Sequence, residues 1–431
     1  MSFVTHPRTR TRLPLVVYVL AAGTFLMGSS EFVVAGLLTE IAVDFGTTVA
    51  RASLSITVFA LGMIIGAPLM SLLTIRLSRR LNLTGALMVF AVGHLIVGVT
   101  ESFAVVLAAR FLTALATGAF WSVGSVVAAR TVGPATASRA LGLVLGGGML
   151  ANVVGVPLGS FTAQVIGWRG TFWALAVLAV IAAGAVALLV PADPAGRSVP
   201  SIRAELAALR NGRLWLALAT CALVNGGVLS IYSFVSPLIT ERAGLPVSIV
   251  PVALMLFGVG ALFGNIVAGR LGDVRPFPAM FGALGLSMIA AIGIWALSSQ
   301  PVALLALFTL LGLVGQSANP ILVSLAIRYG GDAPTLAGAM PTSAFNLGTA
   351  VGTGLTGAAL GGGLGASAPP VVGTISAVLI FIPLGALALL ERRPVRVAPA
   401  AMDCDDSDVD ALGAVGDVKC HAANNPTEQQ P

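Results

Sequence analysis

Twelve apolar runs follow one another along this chain, and no other feature restricts its fold so strongly. They fall near residues 14–38, 48–73, 84–100, 103–129, 138–165, 170–190, 214–239, 248–271, 278–298, 301–327, 335–361 and 371–390. Each is on the order of 20 residues or longer, enough to cross a hydrocarbon core about 30 Å thick as a helix. Within that core the backbone must satisfy its own hydrogen bonds, so such runs fold as helices. The third and fourth runs nearly merge, and a turn is expected at Glu101–Ser102. Composition agrees: 57% of residues are hydrophobic and 9% charged, against about 25% charged in a soluble domain. The sequence predicts an all-α, multi-pass membrane protein.

Charge then gives orientation. With the N-terminus cytoplasmic, nineteen of the 23 basic residues fall on the inner side, against Arg51, Arg169 and Arg242 outside; short cytoplasmic loops carry that excess. The protein is therefore expected in the cytoplasmic membrane with both termini on its cytoplasmic side. Arg8, Arg10 and Arg12 precede the first run, but that run is too long for the apolar core of a signal peptide and reads as the first span. The net charge of +6 is no nucleic-acid patch, because eight of the 17 acids lie in the last 41 residues. Three cysteines give no disulfide framework.

Residues 191–213 are polar, hold three prolines and divide six runs from six. The halves also echo each other. "LLTE" (Leu37–Glu40) closes the first run and "LITE" (Leu238–Glu241) the seventh. Gly62, Gly66 and Leu73 recur as Gly260, Gly264 and Leu271, each 198 positions on. The expected organisation is an N-terminal six-helix bundle (1–190), a central cytoplasmic loop (191–213), a C-terminal six-helix bundle (214–395) and an acidic, disordered cytoplasmic tail (396–431). A parallel repeat of this kind places substrate between the halves, near the membrane midplane.

On these residues the chain resembles the major facilitator superfamily, and within it the twelve-span drug:proton antiporters. "SLLTIRLSRR" is similar to the loop motif after the second span: Arg76, Arg79 and Arg80 match, while Ser71, Ile75 and Ser78 replace Gly, Asp and Gly. "GRLGD" (Gly269–Asp273) keeps the earlier part of the motif in the second half, and Asp273 is placed to supply the missing acid. "LAARFLTALATG" supplies the span-4 arginine, Arg110, before Gly118. "GGGMLANVVGVPLG" resembles the antiporter signature through its glycines, Pro157 and Gly159, with Val156 in place of a glycine. "GWRGTF" (Gly167–Phe172) is also typical. "SSEFVVAGLL" and "ALGMIIGAPLM" resemble the chloramphenicol exporters and their arabinose-efflux-like relatives. The resemblance implies the two-bundle major facilitator fold and transport by alternating access.

Glu31 is the acid set well inside a span, where a charge costs about 2.5–3.5 kcal/mol on insertion scales. Two readings stand: a proton-coupling acid facing a cavity, or a structural glutamate bonded to Ser29 or Ser30. Arg110, the matching basic residue, either tunes Glu31 or snorkels to an interface. His94 either relays protons or bonds a neighbouring helix. Substrate contacts are expected among Phe25, Phe32, Phe120, Trp121, Asn152, Asn225, Tyr232 and Asn346, with helix packing the competing role for each. No phosphate-binding Gly-Lys-Ser/Thr loop and no Ser/His/Asp constellation is present. The tail acids Asp406, Asp408, Asp410 and Asp417 only loosely match a calcium loop, so no metal and no cofactor are expected. The function expected is proton-coupled efflux of a small amphipathic compound, with chloramphenicol-type drugs first. Export of sugars or nucleosides, and a transport-dead membrane sensor, are the alternatives. The partners are a small-molecule substrate, protons and the lipid bilayer, with no nucleic acid; the chain reads as a monomer and not an enzyme.

Overall fold

The computed structural model describes residues 13–73, 78–132, 134–191, 208–330 and 334–392. Arg76, residues 192–207 and the acidic tail lie outside the described residues. Ten spans are plain from length: α1 (Leu15–Val33), α2 (Leu54–Leu73), α3 (Arg79–Val99), α4 (Phe103–Thr131), α5 (Pro134–Leu150, continued by Val156–Ile166), α6 (Trp168–Leu189), α7 (Gly212–Tyr232), α8 (Val250–Val274), α9 (Pro276–Leu297) and α10 (Pro301–Gly315, continued by Asn319–Gly330). The remaining apolar stretch, Ala339–Glu391, is 53 residues long. As one straight helix it would run about 80 Å, more than twice a bilayer core. The chain instead turns at Gly363 (φ 105°) and Gly365 (φ 52°), a left-handed conformation that a residue without Cβ adopts freely. That turn separates α11 (Pro334–Ala359) from α12 (Ala368–Leu379, continued by Phe381–Arg392) and gives twelve spans. The turn between α3 and α4 falls at 100–102, where the sequence places it.

Proline sets the irregularities. Pro157 has no N–H, and its ring collides with a helical carbonyl four residues back. The chain accommodates it with one π-turn over Ala151–Gly155, in which the Val156 N–H bonds the Ala151 carbonyl. Pro320 likewise lies just past the break in α10 between Gly315 and Asn319.

In the first half α2 packs on α4, α3 on α4 and α6, and α1 on α5. In the second half α8 packs on α10, α9 on α10 and α12, and α7 on α11 and α12. Across the halves α2 meets α11, and α5 meets α8. Glycines set the closest approaches. A Cβ at Gly62 would stand 2.6 Å from the Ala114 Cβ and 2.8 Å from the Phe111 carbonyl oxygen; one at Gly260 would stand 2.6 Å from the Thr309 carbonyl oxygen. The repeated glycines thus press α2 onto α4 and α8 onto α10 in the same way. Long apolar side chains such as Leu95, Phe161, Ile181, Phe263, Ile289 and Ile382 are exposed on the outside, as a lipid-facing surface requires and a water-facing one does not tolerate.

The proximal end is where α1 and α7 begin, and the distal end is where they finish. At the distal end Arg169 ties three loops of the first half together. It pairs with Asp44, donates to the Thr100 carbonyl at 3.0 Å, and lies over the rings of Trp168 and Phe45.

Candidate substrate and proton site

Glu31 and Tyr232 sit at matching places, each within the last turn of regular α-helix. Beyond Glu31, α1 tightens into a 3₁₀ turn over Val34–Gly36. Beyond Tyr232, α7 stops at Phe234 (φ −111°, ψ 28°); Pro237 follows, whose ring conflicts with a helical carbonyl at Ser233. Between these ends lies a small pocket lined from both halves. Glu31, Phe32 and Ala35 come from the first span, Ile56, Phe59 and Ala60 from α2, Leu229, Tyr232 and Ser233 from the seventh span, and Asn346 and Thr349 from α11. The half-buried carboxylate of Glu31 therefore faces space between the bundles, not lipid.

Behind Glu31 lies a buried polar chain whose direction can be worked out. Arg110 is 1% exposed. Its Nη1 donates to the Ser30 carbonyl (3.1 Å) and the Ser30 hydroxyl (3.0 Å). His94 Nδ1 is 2.7 Å from the Phe90 carbonyl, which can only accept, so Nδ1 carries a proton. In the neutral ring Nε2 is then an acceptor, and the Ser30 hydroxyl, 2.6 Å away, donates to it. Arginine to serine to histidine to backbone is thus a fully matched sequence of donors and acceptors with His94 neutral. The ring is also held between Phe90 (centroids 3.9 Å apart) and Phe172 (5.6 Å). Such a histidine orients Ser30; both its nitrogens are engaged.

The guanidinium has a second neighbour. Its Cζ stands 4.1 Å over the centre of the Phe59 ring, a cation–π contact that strengthens where water is excluded. Nε and Nη2 have no hydrogen-bond partner among the described residues. Arg110 and Glu31 therefore share no hydrogen bond, and their charges act on one another through space. Among the described residues Glu31 bonds neither Ser29, whose hydroxyl donates to the Phe25 carbonyl, nor Ser30, and a snorkelling arginine does not describe this arrangement either. Arg110 lies deep in the first half, and the Ser30 side chain is engaged with Arg110 and His94.

The other sequence candidates are dispersed. Phe32 joins the halves, its ring edge-on to Tyr232 at 6.0 Å. Asn346 lines the pocket and donates to the Thr342 carbonyl. Asn225 is buried two turns before Tyr232, with its Oδ1 unpartnered. Phe120 is fully buried against Gly23, Phe25 stands by Gly155, and Trp121 packs on Gly148; these fill the contacts among α1, α4 and α5 rather than the pocket. Asn152 lies in the π-turn, its carbonyl against Gly258 where α5 crosses α8. Pro157 is buried, and Gly159 lies against Val33 and accepts from Thr171. Arg79 and Arg80 open α3. Gly269 has open space around it, and Asp273 is exposed. Sequence reasoning passed over Ser30 as the hub and Phe59 as the aromatic beneath Arg110. The spacing between the repeats was the signal that could have found Phe59.

Among the described residues, hydrogen bonds join the halves around and beyond the pocket at four places: Thr39 with Ser236 (2.9 Å), Thr57 with Thr353 (3.0 Å), Gln164 to the Val247 carbonyl (3.2 Å) and Ser343 to the Ile64 carbonyl (3.0 Å). The first three are distal and the fourth is at mid-depth.

Two helical bundles that span a membrane and enclose a pocket at their seam define a solute transporter rather than an enzyme. The family model described as Major Facilitator Superfamily matches residues 20–353, and the chain belongs to that superfamily. A chloramphenicol resistance protein of Streptomyces lividans is 40% identical over 343 residues, covering 79% of this chain and 88% of that protein. The inner membrane transport protein YdhP of Escherichia coli (strain K12) is 33% identical over 363 residues, 84% of this chain and 93% of that one. Among solved structures, a bacterial homolog of the human lysosomal transporter Spinster, in an inward-facing and occupied conformation, matches with a TM-score of 0.69. It covers 88% of this chain and 96% of that chain at 15% identity, a likeness of fold alone.

Proposed function

We propose that this transporter exports a small amphipathic compound in exchange for protons, with chloramphenicol-type drugs the first cargo to test. The carrying observation is that Glu31 presents its carboxylate to the pocket between the bundles, hydrogen-bonded to no other described residue. An ionised carboxylate held there has only the through-space charge of Arg110 to offset its desolvation, and binding a proton removes that cost. Cargo supports itself on the 40% identity to a chloramphenicol resistance protein. The proximal end faces the cytoplasm, as the distribution of arginines favours. Protons reach Glu31 from the distal, outer side and leave inward after the two bundles, 1–190 and 214–395, rock about the pocket. Each passage breaks the distal hydroxyl pairs Thr39–Ser236 and Thr57–Thr353, neutral contacts that need no ion pair to separate.

Arg110 keeps a positive charge behind the acid, and Ser30 and His94 hold it there. The test is uptake into inverted membrane vesicles containing the protein. A protonophore should abolish chloramphenicol accumulation, and ATP depletion at a fixed proton gradient should leave it intact. Accumulation that persists without a gradient contradicts the proposal.

A further inference from the structure

Tyr232 is the counterpart of Glu31 in the second half. The matching quartets Leu37–Glu40 and Leu238–Glu241 lie 201 positions apart, and the same spacing carries Glu31 onto Tyr232. Both line the one pocket. The tyrosine ring is 1% exposed and held on three sides, by Phe257 (4.7 Å), Phe308 (stacked, 6.2 Å) and Phe32 (edge-on, 6.0 Å). Its hydroxyl has no hydrogen-bond partner among the described residues. A buried hydroxyl without a partner works against folding, and a phenylalanine would fill the same aromatic cage without that penalty. Packing therefore accounts for the ring and leaves the oxygen to be explained.

The rest of the lining says what could meet it. Its polar groups are Glu31, Ser233, Asn346 and Thr349, and its walls are Phe32, Ile56, Phe59 and Leu229. No described lysine or arginine lines the pocket; Arg110 lies behind, against Phe59 and Ser30. A carboxylate or phosphate on the cargo would meet Glu31 and, among the described lining residues, no cationic side chain to bond directly. We propose that the Tyr232 hydroxyl is the hydrogen-bond anchor for an uncharged oxygen, carbonyl or hydroxyl, on a cargo whose body is apolar. On this assignment, which rests on the exporter reading above, the first bundle handles the proton and the second recognises the cargo.

The experiment compares purified full-length wild type with Tyr232→Phe in lipid nanodiscs. Chloramphenicol binding is measured calorimetrically and thermal unfolding alongside. The variant should bind about 3- to 10-fold more weakly, the range for one neutral hydrogen bond, with an unfolding midpoint unchanged or higher. Equal affinity overturns the assignment. A lowered midpoint together with weakened binding also overturns it, since the hydroxyl would then be structural. A second arm uses analogues each lacking one oxygen function of chloramphenicol. One analogue should lose affinity for wild type and none for Tyr232→Phe; losses that are alike in both proteins contradict a bond from Tyr232. Wild type that fails to bind or transport chloramphenicol removes chloramphenicol as cargo, the part of the exporter reading on which this assignment rests, and is seen before any variant is compared.

Discussion

The two halves of the molecule share a scaffold and differ in chemistry. At the spacing of 198 that relates Gly62 to Gly260, Phe59 corresponds to Phe257 and Arg110 to Phe308. In the first half the pair is a guanidinium over a ring, 4.1 Å from its centre. In the second it is two rings with centroids 5.1 Å apart. At the spacing of 201 that relates the ends of α1 and α7, Glu31 corresponds to Tyr232, and Ser30, which binds Arg110, to the buried Ile231. A polar cluster built around one acid thus faces an aromatic cluster built around one phenol, across the same pocket. The glycine contacts that set the α2–α4 and α8–α10 spacings are alike in both halves, so at these crossings the difference lies in side chains. A duplicated frame can keep its packing while one copy carries charge and the other does not.

The comparison can be broken most severely at Arg110. Arg110→Phe gives the first half the residue that the second half has at that place. The new ring can pack on Phe59 as Phe308 packs, tilted, on Phe257, while Ser30 loses its donor and Glu31 its nearby positive charge. The expected result is a folded protein whose gradient-driven export falls by at least about tenfold, a barrier change of about 1.4 kcal/mol. Export at the wild-type rate would mean that the charge is dispensable. An effect on stability rather than on coupling, the same in both halves, is expected at the glycines. Gly62→Ala and Gly260→Ala each force a helix pair apart and should cost about 1–3 kcal/mol, read as matched falls in unfolding midpoint. A large disparity between them would deny that the scaffold is duplicated at that level. The smallest effect belongs to the distal seam. Thr57→Val and Thr353→Val each remove the same hydroxyl pair, worth about 1 kcal/mol or less. The double variant should therefore cost little more than either single one, and full additivity would show that the two hydroxyls do not act together.

Much of this was legible in the sequence. Twelve spans follow from run length, and the turn after α3 from Glu101–Ser102. Glu31 and Arg110 stand out because charge is expensive in an apolar helix, whatever its neighbours. What could not be read was contact. A serine beside the acid looks like many serines in membrane helices, and only the crossing of α1, α3 and α4 brings Ser30 between Arg110 and His94. Phe120 and Tyr232 were equal candidates in sequence, since both are aromatic residues in spans expected to line a cavity. Gly23 opens the space that Phe120 fills within the first half, whereas the end of α7 carries Tyr232 to the seam. Aromatic identity does not report which way a helix is turned; the repeat spacing, applied to Glu31, does single out Tyr232.

The most direct test of the division between the halves compares two modes of transport in one preparation of proteoliposomes. Gradient-driven accumulation of labelled chloramphenicol requires coupling, whereas counterflow against unlabelled drug with no gradient requires only binding and alternation. Glu31→Gln, which keeps the shape of a protonated acid, should lose accumulation and keep counterflow. Tyr232→Phe, examined at subsaturating drug, should weaken both in the same proportion. A Glu31→Gln protein that still accumulates drug at the wild-type rate, or a pair of variants that impair the two modes identically, would contradict the account.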